Sequence, residues 1–344
     1  MKNVCYLLII CLFTACSEIR YVGIETYNPS DITYPKSVRK VLVIDNALPQ
    51  APDTGYSYFI AGVAQDTCRA NADSALFDAC RALGNALVDA DYFDDVLLFD
   101  VGTRQDNAFL ADVKLTTEQV QSLCEETGAD AVISFDRLLF NMKREVSNTF
   151  EGYFNGTIRV DIMGIARSYL PDKNKLPTTV LIADSIFWME SGISIAYLDH
   201  ILPTPDDALR TAAKYIGMKI SSAFVPHWNE ETRWYFTSVG SRWKKASAYA
   251  GAEKWESASE SWQSLYEKAS GWIEKAKSAS NLALYYEMSG DLKKARDLAS
   301  ESYELFLKNK GEENAYTLIQ KQYMLTLEKR LQNDRKLNLQ IGEE

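Results

Sequence analysis

The chain has 344 residues, 47% of them apolar and 24% charged, and its 47 acidic against 37 basic residues give a formal net charge of −10. That length exceeds the usual single core and predicts two domains, and the composition is that of a globular protein rather than a disordered one. An acidic chain without a basic stripe excludes nucleic acid as a partner and excludes electrostatic docking on anionic lipid.

The first residues, MKNVCYLLIICLFTAC, place Lys2 ahead of an apolar run from Val4 to Phe13, followed by Thr14, Ala15 and Cys16. The run is too short to cross a bilayer of ~30 Å as a helix. Its charge, apolar core and small residues have the layout of a cleaved export signal. The stretch resembles the lipobox of bacterial lipoproteins, with Phe13 in place of the commoner Leu. The resemblance implies removal of residues 1–15, lipidation of Cys16 and attachment to the membrane through acyl chains, each buried methylene adding ~0.8 kcal/mol. Loss of Lys2 takes the net charge from −10 to −11. Ser17-Glu18 lacks an Asp directly after the cysteine, which favours the outer membrane over the inner and leaves open which face the protein occupies.

Residues 16–36, with Pro29 and Pro35, read as a lipidated tether. A domain over 37–227 follows. Lys40–Asp45 is a continuous apolar run of the kind a strand buried on both faces requires. Residues 46–72 show no clear period. Asp73 reads as an N-cap for a helix carrying Leu76, Cys80, Leu83 and Leu87 at helical spacing, and Val96–Phe99 is a second buried strand. Thr116 and Gln119 form a capping box before a helix closed by Gly128, and Ala131–Phe135 is a third strand. Strand–helix–strand–helix–strand predicts right-handed crossovers and a parallel core. Ile158, Val160 and Ile162 then alternate with polar residues, and Thr178–Trp188 is a further strand, so antiparallel additions make the sheet mixed. Asn155-Gly156-Thr157 reads as a hairpin turn. A helix opening at Pro205-Asp206 ends near Pro226. The fold class is therefore α+β or α/β: a mixed parallel–antiparallel sheet with flanking helices, followed by an all-α domain.

The junction 228–244 holds Trp228, Trp234, Tyr235 and Trp243, either an interdomain core or a stacking platform for a sugar or peptide. Over 245–344 a repeat emerges. Leu282, Ala283 and Tyr286 precede Gly290 and Ala295; 37 residues earlier, Glu253 to Ala258 with Trp255 and then Trp262 occupy matching places. This is tetratricopeptide-like spacing, against a usual period of ~34. A charged helix from Asn314 to about Leu339 reads as a cap.

Neither a phosphate-binding loop, a dinucleotide fingerprint, a nucleophile elbow nor a zincin motif occurs, and the chain has two histidines. The reading assigns no catalytic residue, no metal ligand and no cofactor. Asp45, Asp100 and Asp136 each follow a predicted parallel strand, where open α/β sheets bind ligands, so they form a candidate ligand edge; the alternative is that they cap the next turn. After loss of the signal, Cys68, Cys80 and Cys124 remain, and a Cys68–Cys80 disulfide and buried free thiols both stay open.

Lys40–Ile44, Gly128–Ile133 and the later antiparallel strands make residues 38–226 resemble the α/β domain of the TolB and curli-secretion lipoprotein group. With its lipobox and Trp-rich helical repeats, the whole chain resembles an uncharacterised lipoprotein family of the Bacteroides group. The resemblance implies architecture and location, not an activity. Curli-type members form a pore from amphipathic hairpins, and Asn141–Arg167 is the nearest such stretch here. Three functions follow as expectations: a non-enzymatic, lipid-anchored envelope scaffold whose helical repeats bind envelope proteins; an envelope glycan or peptide enzyme using Asp45, Asp100 and Asp136; and a ring-forming export component. The oligomeric state stays open.

Overall fold

A computed structural model describes residues 18–342 apart from 66–67, 100–101, 105 and 150. Cys16 and Asp100 lie outside the described residues. The chain forms two compact units, one of residues 29–227 with Gln340–Gly342, the other of residues 18–28 with Trp228–Leu339.

The first unit holds a seven-stranded mixed sheet, β2 (Lys40–Asp45), β3 (Tyr56–Ile60), β4 (Val63–Ala64), β5 (Asp95–Leu98), β6 (Ala131–Asn148), β7 (Phe154–Tyr169) and β8 (Thr178–Gly192). Parallel β2 pairs with β5 on one side and with the start of β6 on the other, Val41 opposite Ala131 and Asp45 opposite Phe135. Helix α1 (Ala72–Asp89) connects β4 to β5, and α2 (Thr117–Thr127) connects β5 to β6. Val41 and Val43 pack with α1 and with α4 (Pro205–Phe224), while Leu42 and Ile44 pack with Val120 and Cys124 of α2. Helices therefore cover both faces, which is why β2 is an unbroken apolar run. The capping box of Thr116 and Gln119 and the left-handed Gly128 (φ 71°) are formed as expected. The N-cap of α1 is Asn71, not Asp73: the Asn71 side chain accepts the Asp73 amide, leaving Asp73 inside the first turn.

Beyond Phe135 the structure departs from expectation. The third strand does not stop; it runs on to Asn148, with a register shift between Phe135 and Arg137. It is long enough for one of its edges to accept β2 and then parallel β3, Tyr56 opposite Met142, while the other edge pairs antiparallel with β7 along its length. Between β2 and β3, the Gln50 side chain stands in for a strand: its Oε1 accepts the Phe140 amide and its Nε2 donates to the Phe140 carbonyl, both at 2.8 Å. Gly55 (φ 82°) makes room, since a Cβ there would meet Gln50 Nε2 and the Phe140 carbonyl at 2.8 Å. The reversal between β6 and β7 lies at Thr149–Tyr153, and Asn155-Gly156 falls within β7, where a Cβ on Gly156 would sit 2.7 Å from Leu202. Helix α3 (Ile195–Ile201) and α4 pack against β7 and β8. The stretch 141–167 is accordingly the β6–β7 hairpin of this sheet, with Ile158, Val160 and Ile162 fully buried. Cys68, Cys80 and Cys124 are free thiols.

Helices α1 and α4 meet at Gly217, where an added Cβ would lie 2.3 Å from the Ala79 carbonyl and 3.0 Å from the Ala82 Cβ. We expect Gly217→Val to cost about 1–3 kcal/mol by overpacking this crossing; a wild-type urea midpoint would show that the helices separate freely.

In the second unit, residues 19–28, expected as a tether, form β1 (Ile19–Asn28), paired with β9 (His227–Phe236). Ile24, Thr26 and Asn28 alternate inward, but two of the three are polar, so no apolar period marks the strand. Thr26 Oγ1 donates to the Asn229 carbonyl at 3.3 Å, and Asn28 Nδ2 donates to Thr26 Oγ1 at 2.9 Å. The residues 228–244, expected as a junction, are most of β9 and the start of α5. Helices α5 (Ser241–Gly251), α6 (Trp255–Glu267), α7 (Trp272–Met288), α8 (Leu292–Lys310) and α9 (Ala315–Ile341) complete the unit. Each of α5 to α7 packs on the helix that follows it. Ala258, Trp262, Leu282, Ala283 and Ala295 are buried, Trp255 and Tyr286 half-buried, and Gly290 is left-handed at φ 87°. A buried carboxylate, Glu287, accepts Arg233 Nη2 (2.9 Å), Arg330 Nη1 (2.6 Å) and the Tyr323 hydroxyl (2.8 Å). Among the described residues no helix is long and apolar enough to cross a membrane.

A candidate ligand crevice at the carboxyl ends of β2 and β5

After β2, β3 and β4 the chain passes to α1 on one face of the sheet, and after β5 to α2 on the other. A crevice lies at the carboxyl ends of the neighbouring strands β2 and β5, the end at which open α/β sheets bind ligands. Here it measures about 530 Å³. Asp45, Ala47 and Leu48 border it after β2, Phe99 and Arg104 after β5, and α1 presents Asp73, Phe77 and Arg81, spaced four residues apart on one side of the helix. Helix α4 adds Arg210.

Asp45 ends β2 on the α1 face. Its Oδ1 accepts the Ala47 amide at 2.9 Å. Burial, reinforced by the nearby Asp73 carboxylate, pushes its pKa up to about 7, against the one opposing Ala47 hydrogen bond. Asp78, 2% exposed, accepts Arg81 Nη2 at 2.9 Å and Arg210 Nε at 2.7 Å, with Lys214 Nζ at 3.9 Å. One buried carboxylate thus holds two guanidiniums at the crevice while each commits a single N–H to it. Arg81 also lies over the Phe77 ring, 5.5 Å from its centroid. Arg104 forks onto Asp106 through Nε (2.9 Å) and Nη2 (2.7 Å) and donates to the Ala108 carbonyl. Its side chain is only 6% exposed, and its Nη1 has no hydrogen-bond partner among the described residues.

Asp136 is not at this edge. It sits at the register shift inside β6, fully buried on the opposite, α2 face, with Ser134 and Asn46 donating to Oδ1 and Arg167 and Tyr169 donating to Oδ2. Arg167 bridges to Asp112 at 2.5 and 2.7 Å. With both oxygens occupied, Asp136 is a structural carboxylate. Of the three expected acids, the structure places Asp45 alone at the crevice, and Asp100 lies outside the described residues. Among the described residues no cluster of three or more His, Cys, Asp or Glu could hold a metal ion.

The aromatic residues are likewise divided. Tyr235 and Trp243 are buried, and Tyr235 packs on Trp262 with ring centroids 5.9 Å apart. Trp234 lies 5.3 Å from Tyr323. These three belong to the core of the helical unit and cannot form an open platform. Trp228, 66% exposed, lies against Tyr27 at 4.9 Å.

The residues missed from sequence are the arginines and their organiser. Asp78-x-x-Arg81 lay on the polar side of a helix read for its apolar stripe, and that i, i+3 pair was the available signal. Arg210 and Arg104 reach the crevice from distant positions with no local mark.

The fold and crevice define an α+β protein with a mixed sheet bearing a cleft at the carboxyl ends of its parallel strands, joined in sequence to a helical region. The chain belongs to the family described as Domain of unknown function (DUF8603), whose model matches residues 38–236, more than half its length. A second model, Domain of unknown function (DUF6340), matches residues 244–329, all within the helical region. No curated protein matches the chain.

Proposed function

We propose that the protein is a non-enzymatic scaffold of the bacterial cell envelope, anchored in the outer membrane by acyl chains on Cys16, whose tetratricopeptide-like helices bind a protein partner. The observation that carries this reading is the succession of α5 to α8, each packed on the next, with Ala258, Ala283 and Ala295 fully buried where the helices approach closely. Arrays of this kind bury a continuous core and leave extended faces as receptors for peptides and helices. The anchor is supported by the short apolar run ending in small residues before Cys16. The kinship to a Bacteroides-group lipoprotein family belongs to the same reading.

The test has two arms. Cells fed a clickable palmitate should label the intact protein, and Cys16→Ala should abolish the label and move the protein out of the membrane fraction; labelling that survives the substitution would remove the anchor. Affinity purification of the full chain from detergent-solubilised envelope should recover a specific partner. That partner should be lost when Leu318 and Leu325, exposed one heptad apart on α9, are changed to Asp. Recovery of no specific partner would overturn the scaffold reading.

A further inference from the structure

We propose that the crevice between the carboxyl ends of β2 and β5 binds a small organic phosphate monoester, its phosphate held by Arg81, Arg104 and Arg210. This goes beyond the scaffold reading and stands independently of it, since it rests on the α/β unit alone.

Three observations converge. The first is uncommitted donor capacity. A guanidinium carries five N–H groups; Arg81 and Arg210 each spend one on Asp78, and the buried Arg104 Nη1 has no acceptor among the described residues. A buried guanidinium nitrogen without an acceptor costs on the order of 1–3 kcal/mol; Arg104 lines the crevice, and a small shift of its side chain on binding would let an oxyanion supply what is missing. The second is direction. Arg81 and Arg210 approach from α1 and α4 and Arg104 from the loop after β5, while the first turn of the 18-residue α1 also lines the crevice through Asp73 and Ser74. A phosphate offers three oxygens in a tetrahedral array and up to two negative charges, against two coplanar oxygens and one charge on a carboxylate, so it suits guanidiniums that arrive from three directions. The third is the remaining lining. Phe77, Phe99, Leu48 and Pro49 offer an apolar wall for an organic group, and a volume of about 530 Å³ falls within the range of small-ligand pockets.

The acids in the lining are compatible with an anion. Asp78 is matched by its two arginines. Asp73 faces the positive end of its own helix. Asp45, pushed to about 7, retains a proton on a large fraction of molecules at neutral pH and can donate it to a phosphate oxygen.

The experiment is calorimetric titration of the full chain with phenyl phosphate, benzoate and phenol, which share the ring and differ in the group it carries. We expect phenyl phosphate to bind at least tenfold more tightly than either of the others. Arg104→Gln should weaken phenyl phosphate at least tenfold. Its partner Asp106 is exposed, so this substitution leaves no buried carboxylate unpaired. Arg210→Lys, which keeps the charge, should lose less, and Arg159→Gln, a guanidinium exposed on β7, should change nothing. Benzoate binding as tightly as phenyl phosphate would overturn the phosphate assignment in favour of a carboxylate, and phenol binding equally would overturn the role of the anion. No detectable heat at millimolar phenyl phosphate, or affinity unchanged in folded Arg104→Gln protein, would overturn the site.

Discussion

Asp136→Ala should be among the most damaging single changes in the α/β unit, lowering stability by about 3–5 kcal/mol. Asp136 is fully buried, and its two oxygens accept from Ser134, Asn46, Arg167 and Tyr169. Removing the carboxylate strips an anion from Arg167, whose side chain is 3% exposed, and leaves it the half-buried Asp112 alone. It also orphans the Ser134 hydroxyl and leaves one N–H of Asn46 without an acceptor, its Nδ2 keeping the Val113 carbonyl. Burial together with the hydrogen bond to Asp136 holds the Tyr169 phenol well above its ordinary pKa, so that hydroxyl stays a donor and also loses its acceptor. Asp136→Asn, which keeps an acceptor oxygen, should fall at the lower end of the range. Pairing Asp136→Leu with Arg167→Met should recover part of the loss, because a buried ion pair replaced as a pair costs less than one broken singly. Urea unfolding of the single and double variants measures this. A loss below about 1 kcal/mol for Asp136→Ala would mean that the network is not held as described.

Asp45→Asn should do the reverse, stabilising the protein as the pH rises. In the folded chain burial lifts the Asp45 pKa to about 7, and Asp73 and Cys80 on α1 face it. Unfolded, it returns to an ordinary carboxyl value near ~4. Below pH ~4 both states carry the proton and Asp45 has no effect on stability. Between ~4 and about 7 the unfolded chain gives up the proton while the folded chain keeps it, so stability falls through this window. Above about 7 the penalty is complete, and at ~1.4 kcal/mol for each of roughly three pKa units it amounts to roughly 4 kcal/mol. The asparagine variant lacks the penalty. Its unfolding free energy should match wild type at pH 4 and exceed it by up to roughly 4 kcal/mol at pH 8. Parallel pH profiles for the two proteins would show that Asp45 ionises freely. Bound phosphate would modify the comparison, so the measurement belongs in a phosphate-free buffer.

The contrast between Asp45 and Asp136 marks the limit of reading this site from sequence. Both acids follow apolar runs that pair in register, Asp45 lying opposite Phe135. One residue of offset then decides everything, because successive side chains on a strand point to opposite faces. Asp45 faces α1 and the crevice, whereas Asp136 faces α2 and is consumed by Arg167. The register shift at Phe135/Arg137 has no local signature, and neither does the continuation of β6 past Asp136. Long-range partners set both.

Elsewhere local chemistry was enough. The apolar runs of β2 and β5, the stripe of α1, the capping box of α2 with its closing glycine, and the small and aromatic residues buried in α6 to α8 all declare themselves through period and caps. They report whether a segment buries one face or two. What the sequence by itself determined is therefore the α+β class, the succession β2, α1, β5, α2 and β6, and the helical character of the last hundred residues. The tertiary structure alone decided three things: that residues 19–28 form a strand with β9, that Gln50 fills a gap in the sheet edge, and that Arg81, Arg104 and Arg210 line one crevice with Asp45. Each depends on groups distant in the chain satisfying one another's hydrogen bonds and charges, and such pairings leave no periodic trace in either partner.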